Sequence, residues 1–556
     1  MSNSNLKTFD NFYADLAQSA YNGRPNAFPR YNNAVNWKLI DYSQHINYAG
    51  ENTPGGKHLP HNGRVYLQPD PELRDTYKVT SIPVPDANGM RQDIHHKRYQ
   101  KGLLTDDEAG FSAYYLTDTP TLTNDTKKTY MAIRGSDAIS KENWNDWVDN
   151  DAKFALNHIH TPQAKLATVG MKTKIAEMTE KAPQATMDIT GHSLGTIVSA
   201  QGVAGLSDEE LEKIGKVVLF DGPDTTKSLK KMGLSDEKIK KISEKIEYYV
   251  NPFDIVGMLN REHTITKLPG DSDEPLKKPV GKVNVLVPLH YTQITDPESS
   301  HDFGVFQSDG KGNLLTASED FHPELLRAGE KLARLIATTL GVLRTLGVDE
   351  NAASNILNAI MRGEIVNKAV IGYAFYENFK TEYGKIVEEA RKESIKWDRE
   401  AIPRYQEQLR NGNLTGEKRI LVRAQLLQTA AQLANFDMED KVKYVKTLLS
   451  DAKEDIQNIV KETRSTAFDM VGYLSSSEVT NLLSGFDTTS FWDEGLASDT
   501  KTAATSFLTQ IEQLGESLVK ASGSFETIDT DSAEDFNNLL ADVKQTWRGK
   551  NVSPNG

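Results

Sequence analysis

Gly191-His192-Ser193-Leu194-Gly195 follows directly on the short apolar run Met187-Asp188-Ile189 and precedes Thr196-Ile197-Val198-Ser199-Ala200-Gln201, which has helical composition. A serine between two glycines at a strand-to-helix turn suits nucleophilic acyl transfer. The bend is so tight that side chains at the glycine positions would collide with the neighbouring strand and helix, while the serine hydroxyl is pushed outward. The helix start behind it supplies a positive dipole and the free N–H of Leu194, which can stabilise a developing oxyanion. Ser193 is therefore the candidate nucleophile and Leu194 a candidate oxyanion donor.

A serine nucleophile needs a base, and the base needs an orienting carboxylate. After Ser193 only His263, His290, His301 and His322 remain. Ile246-Glu-Tyr-Tyr-Val250 reads as a strand leading into Asn251-Pro252-Phe253-Asp254, which puts Asp254 at a strand's carboxyl end, where open α/β sheets keep their sites. Asp221 and Asp224 compete for the same role after the strand ending at Phe220, where Gly222-Pro223 reads as close packing around the serine. His192 reads as a packed histidine. His95-His96 and His158-x-His160 lack regular carboxylate partners and read as exposed loop histidines, so no metal or cofactor is expected.

The elements that must hold these residues fall in the first 320 residues, where short β-branched runs alternate with amphipathic stretches in α/β fashion. Strands are expected at Phe111 to Leu116, Thr129 to Ile133, Thr186 to Thr190, Lys216 to Phe220 and Ile246 to Val250, with a helix over Lys165 to Lys181. Residues 1–100 carry little pattern. The 556-residue chain has a net charge of −14, which disfavours a nucleic-acid partner, and no cysteine, which excludes thiolate chemistry and disulfides. No basic-then-apolar leader opens it, and Leu332 to Leu346 falls short of a membrane span.

All 12 histidines precede Pro323, and from there only Pro323, Pro403 and Pro554 interrupt the chain. An elongated all-α domain is expected over 323–556, after an α/β domain at 1–322, with turns near Gly412 to Gly416 and Ser475 to Ser477. Val442, Val445, Leu449, Ala452, Ile456 and Ile459 form one predicted seam, and Phe507, Ile511, Leu514 and Leu518 another.

The ordered set Ala132-Ile133-Arg134-Gly135-Ser136, Trp144-Asn145-Asp146-Trp147, Gly191 to Gly195, Phe220-Asp221-Gly222-Pro223 and Val250 to Val256, over about residues 105–306, resembles the class 3 lipases. The resemblance implies an α/β-hydrolase fold and cleavage of acyl-ester lipids, as a lipase or phospholipase A at a membrane surface. It implies Ser193 as nucleophile, Asp254 as orienting acid, and Ser136 as a second oxyanion donor beside Leu194. His301 becomes the base through Ser300-His301-Asp302-Phe303, while His290 resembles a structural histidine of that family. Thr196 stands where the family commonly has a third glycine. The region after Trp147, with Asp149, Asn150 and Asp151, would cover the site, and Trp144 and Trp147 would meet lipid or pack in the core.

Joined to a cysteine-free, histidine-free helical half, this arrangement resembles the type VII secretion lipase effectors that carry a reversed LXG-type domain at the C-terminus. A Leu483-Ser484-Gly485 tripeptide is present. That resemblance implies secretion without a cleavable signal peptide, small helical export partner proteins on the C-terminal half, and an immunity protein in the producer.

Overall fold

The computed structural model describes residues 7–29, 36–47, 50–56, 58–86, 89–135, 160–261, 280–291, 300–309, 312–346, 370–411, 414, 416–470 and 472–524, with the backbone alone for 80–86 and 89–97. Two compact units are present: Met1–Ser308 with Gly312–Asp398, and Asp309–Lys311 with Arg399–Gly556.

The first unit is built on an 11-stranded mixed sheet. Its centre consists of five parallel strands, β9 (Lys128–Ile133), β10 (Thr186–His192), β11 (Ile214–Phe220), β12 (Ile246–Val250) and β13 (Lys282–Val285), in spatial order 9-10-11-12-13. Strands buried on both faces read as continuous apolar runs, as Val217 to Phe220 of β11 does, whereas β10 is equally buried but carries Asp188, Thr190 and His192 among its apolar residues. Antiparallel strands extend one side. β8 (Phe111–Thr117) pairs with β9, and beyond it lie β4 (Arg64–Leu67) with β1 (Lys38–Asp41), and β7 (Thr105–Asp106) with the long hairpin β5 (Arg74–Asp86) and β6 (Gly89–Lys101). The remaining pair, β2 (Gln44–Ile46) and β3 (Asn52–Pro54), forms its own small sheet.

Helices cover the sheet. α1 (Phe12–Ser19), capped by the Asn11 side chain on the Ala14 amide, packs against β10. α1 carries no readable pattern because it is buried around nearly its whole circumference, so no polar face marks it as a helix. α2 (Pro162–Lys181) starts at a proline, as helices often do, and buries Ala164, Ala167, Met171, Ile175 and Met178. α3 (Leu194–Ala204) follows β10 directly and is wholly buried. Four shorter helices follow: α4 (Asp208–Glu212), α5 (Thr226–Lys231), α6 (Asp236–Ser243) and α7 (Ile255–Met258). α8 (Pro323–Thr345) and α9 (Val370–Arg410) complete the helices that begin in this unit.

The second unit pairs α10 (Gly416–Met470, 55 residues) with α12 (Glu494–Ser524), with α11 (Ser476–Leu482) between them in sequence. Arg464 closes the connection by donating to the carbonyls of Leu483 and Phe486 at 3.1 and 2.9 Å. The turn expected near Ser475 is a capping box that starts α11. Of the two predicted seams, the one on α10 keeps its phase through Val442, Val445, Leu449 and Ile456, all buried or half-buried, and slips at its end to Val460, leaving Ala452 and Ile459 exposed; the one on α12 shifts by about one position. On α12 it runs through Glu512, Gly515 and Val519, leaving Phe507 and Leu514 exposed. Gly515 explains the second shift, because its missing side chain lets Ala431 of α10 approach closely. Among the described residues no helix is long and apolar enough to cross a membrane.

Candidate active site

Gly191 ends its pairing with Ile133 on one side and Leu219 on the other, and β10 gives way to α3 within two residues. Ser193 occupies that turn at φ 58° and ψ −129°, a conformation costing on the order of 1–3 kcal/mol for a residue with a Cβ. Both flanking glycines are required by contact: a Cβ on Gly191 would lie 2.7 Å from the Gly195 carbonyl, and one on Gly195 would overlap the Ile133 carbonyl. The turn is tied down by the Ser193 amide donating to Phe220 O at 3.1 Å, and by the Thr196 hydroxyl donating to Ser193 O at 2.7 Å. Thr196, where a third glycine was expected, is accommodated because Gly222 faces it without a side chain.

His301 stands at the serine. Its Nε2 is 2.9 Å from Ser193 Oγ and its Nδ1 is 3.0 Å from Asp254 Oδ2. Asp254 follows β12 and is the N-cap of α7, accepting from the amides of Val256 at 3.0 Å and Gly257 at 2.6 Å. Those bonds aim its carboxylate in a fully buried position. The three side chains thus converge from the ends of β10 and β12 and from the loop before Phe303, and all are buried. Leu194 provides the first amide of α3, which has no carbonyl one turn earlier in its own helix.

The competing acids sit elsewhere in the network. Asp221, at φ 47°, accepts from the Asn251 amide at 2.7 Å. Burial, reinforced by Asp254 beside it, pushes its carboxyl well above the usual carboxylate range. Asp224 caps the Thr226 amide and faces the fully buried Arg261, which stacks on Tyr248. His322 lies between Glu324 and Asp398, with Nδ1 2.8 Å from Glu324 and Nε2 3.4 Å from Asp398. His290 is half-buried in the segment after β13.

His192 is a packed histidine, with Nδ1 3.0 Å from the Tyr21 hydroxyl and Nε2 2.9 Å from the His301 carbonyl. Burial, reinforced by His301, holds it well below its ordinary pKa. His95 and His96 lie in strand β6, paired by backbone with Thr80 and Val79, not in a loop as expected. Their placement reflects a long hairpin whose strands carry too many charges to read as β from sequence. His160 is exposed just before α2. Ser136, Trp144, Trp147, Asp149 to Asp151, His158 and His263 lie outside the described residues.

Sequence reasoning missed the N-terminal contributors. Tyr21 and Arg24 reach the centre from just after α1, the latter with Nη2 2.6 Å from Asp302 Oδ1. Tyr383 of α9 donates to the Phe253 carbonyl at 2.7 Å, beside the loop that carries Asp254. No periodicity or motif marks such residues.

Residues 118–264 match the Cutinase family model. The match supports an α/β-hydrolase, lipase-like region, spans Ser193 and Asp254, and ends before His301; the C-terminal helices lie outside it. No curated protein and no solved structure matches the chain.

Proposed function

We propose that the chain is a serine-dependent acyl-ester hydrolase acting on glycerolipids or phospholipids. The observation that carries this reading is the continuous line Asp254–His301–Ser193, with bonds of 3.0 and 2.9 Å at a strained strand-to-helix turn. The Cutinase match supports ester hydrolysis independently of that geometry.

Ser193 Oγ attacks the ester carbonyl carbon as His301 Nε2 takes its proton, and Asp254 stabilises the resulting imidazolium. The Leu194 amide donates to the oxyanion, and Ser136 is proposed as the second donor. Collapse breaks the ester C–O bond, and the alcohol leaves with the proton from His301. Water, deprotonated by the same nitrogen, then releases the fatty acid and restores Ser193.

The test is fatty-acid release from a panel of purified phospholipids and acylglycerols by wild type and Ser193→Ala. Loss of the nucleophile should cost on the order of 10⁶-fold in turnover. Equal release by the two proteins discards the reading.

For the helical half we propose docking rather than chemistry, with a type VII export route, small helical partner proteins and a cognate immunity protein. The exposed Tyr444, Leu448, Ile459, Phe507 and Leu514 on α10 and α12 support an apolar docking face. Release of the full-length protein from intact cells, and its loss when 323–556 are deleted, is the expected result; release unaffected by the deletion opposes it.

A further inference from the structure

We propose that Tyr21 is a positioning residue of this centre, its hydroxyl fixing both the His301 base and the strand end that leads into Ser136. The inference rests on the serine-hydrolase reading above and adds a device to it.

The hydroxyl lies 3.0 Å from His192 Nδ1 and 3.1 Å from the Gly135 amide. An amide only donates, so Gly135 N–H occupies an oxygen lone pair and the hydroxyl proton goes to an acceptor: His192 Nδ1 at 3.0 Å is the nearer, and the His192 carbonyl at 3.4 Å the weaker alternative. On the far side of that ring, Nε2 is 2.9 Å from the His301 carbonyl, which only accepts, so Nε2 carries a proton. The shortest contacts are all satisfied by neutral His192, protonated at Nε2 and accepting at Nδ1. The burial that keeps His192 uncharged agrees with it. The hydrogen bonds then run without a break from Gly135 N–H to Tyr21 O–H to His192 to the main chain of His301.

The loop is pinned on either side of that carbonyl as well. Asn251 Nδ2 donates to Ser300 O at 2.8 Å, and Arg24 pairs with Asp302 at 2.6 Å with both side chains largely buried. His192 and Phe303 rings pack with centroids 4.3 Å apart. Two of these restraints, Tyr21 and Arg24, come from one short stretch after α1, about 280 residues before His301 in sequence. That stretch therefore sets where the base stands relative to Ser193 Oγ, and small displacements there are costly to rate.

Tyr21→Phe keeps the ring and removes the hydroxyl. The experiment measures kcat, KM and thermal unfolding on a soluble ester for wild type, Tyr21→Phe and Ser193→Ala, with ¹⁵N spectra of the imidazoles of the first two. Expected are a kcat about ten- to a hundredfold lower for Tyr21→Phe, KM and Tm close to wild type, and a His192 signal moving from a single Nε2-protonated tautomer to a mixture. Arg24→Ala should lower kcat as well, with Arg24→Lys recovering most of it by keeping a cation opposite Asp302. A Tyr21→Phe enzyme within twofold of an active wild type overturns the proposal, as does a loss that merely follows a lowered Tm. A wild type no faster than Ser193→Ala instead overturns the hydrolase reading beneath it.

Discussion

Replacing Asp254 by asparagine tests the proposed orienting role with almost no change in shape. Asp254 Oδ1 accepts from Val256 N–H at 3.0 Å, while Oδ2 accepts from Gly257 N–H at 2.6 Å and faces His301 Nδ1 at 3.0 Å. Asparagine has only one oxygen. Left at the Oδ2 position, it preserves the His301 contact but aims its NH₂ at the Val256 amide, a buried donor against a donor costing about 1–3 kcal/mol. Flipped, it satisfies Val256 but turns NH₂ onto the Gly257 amide, a donor against a donor again, and onto His301, which must then accept at Nδ1 and carry its proton on Nε2. That proton points at Ser193 Oγ, and the imidazole cannot take up the serine's own. A wrong tautomer of this kind costs about 10⁴-fold in kcat, roughly 5 kcal/mol in barrier. Steady-state hydrolysis of a chromogenic ester should show that loss in kcat with KM nearly unchanged. An Asp254→Asn enzyme within tenfold of wild type would refute the reasoning, and a collapse seen instead in Asp221→Asn would transfer the role to Asp221.

Asp221→Asn is expected to stabilise the protein. A buried carboxyl with a raised folded pKa contributes stability that is present below its unfolded pKa of about 3.9 and lost as pH rises through the folded value. The gain in Tm should therefore vanish in acid and grow as pH rises above about 4; a flat difference contradicts the assignment. Gly222→Ala drives a Cβ into the Thr196 side chain and should cost about 1–3 kcal/mol by chemical denaturation, with Thr196→Gly restoring the loss in the double variant. Simple additivity would show that the two do not share the space. His322→Ala leaves buried Glu324 and Asp398 without the imidazole between them and should destabilise the first unit by about 3 kcal/mol; a Tm unchanged at neutral pH contradicts that.

The parts of this centre readable from sequence are those made by local chain geometry. Gly191 and Gly195 announce the turn because backbone contact forbids a side chain at either position. Asp254 is legible because a strand must deliver it, and the same residue caps the helix that follows. His301 is harder, since the histidines after Ser193 leave four candidates and only the family resemblance of Ser300-His301-Asp302-Phe303 narrows the choice. Tyr21 and Arg24 left no trace, because their partners lie 171 and 278 residues away and neither sits in a periodic element. The α10 seam was legible in period and, through Val442, Val445, Leu449 and Ile456, in phase, whereas the phase of the α12 seam depends on where Gly515 lets two backbones close.

The central claim is that the Ser193 hydroxyl is nucleophilic because His301 stands against it. Reaction with a fluorophosphonate, followed by mass spectrometry of the digested protein, reads this directly. One phosphonyl adduct is expected on the peptide carrying Ser193, formed rapidly in wild type and slowed by several orders of magnitude in His301→Ala. An adduct on another residue, or labelling of Ser193 at the same rate without the imidazole, would contradict it.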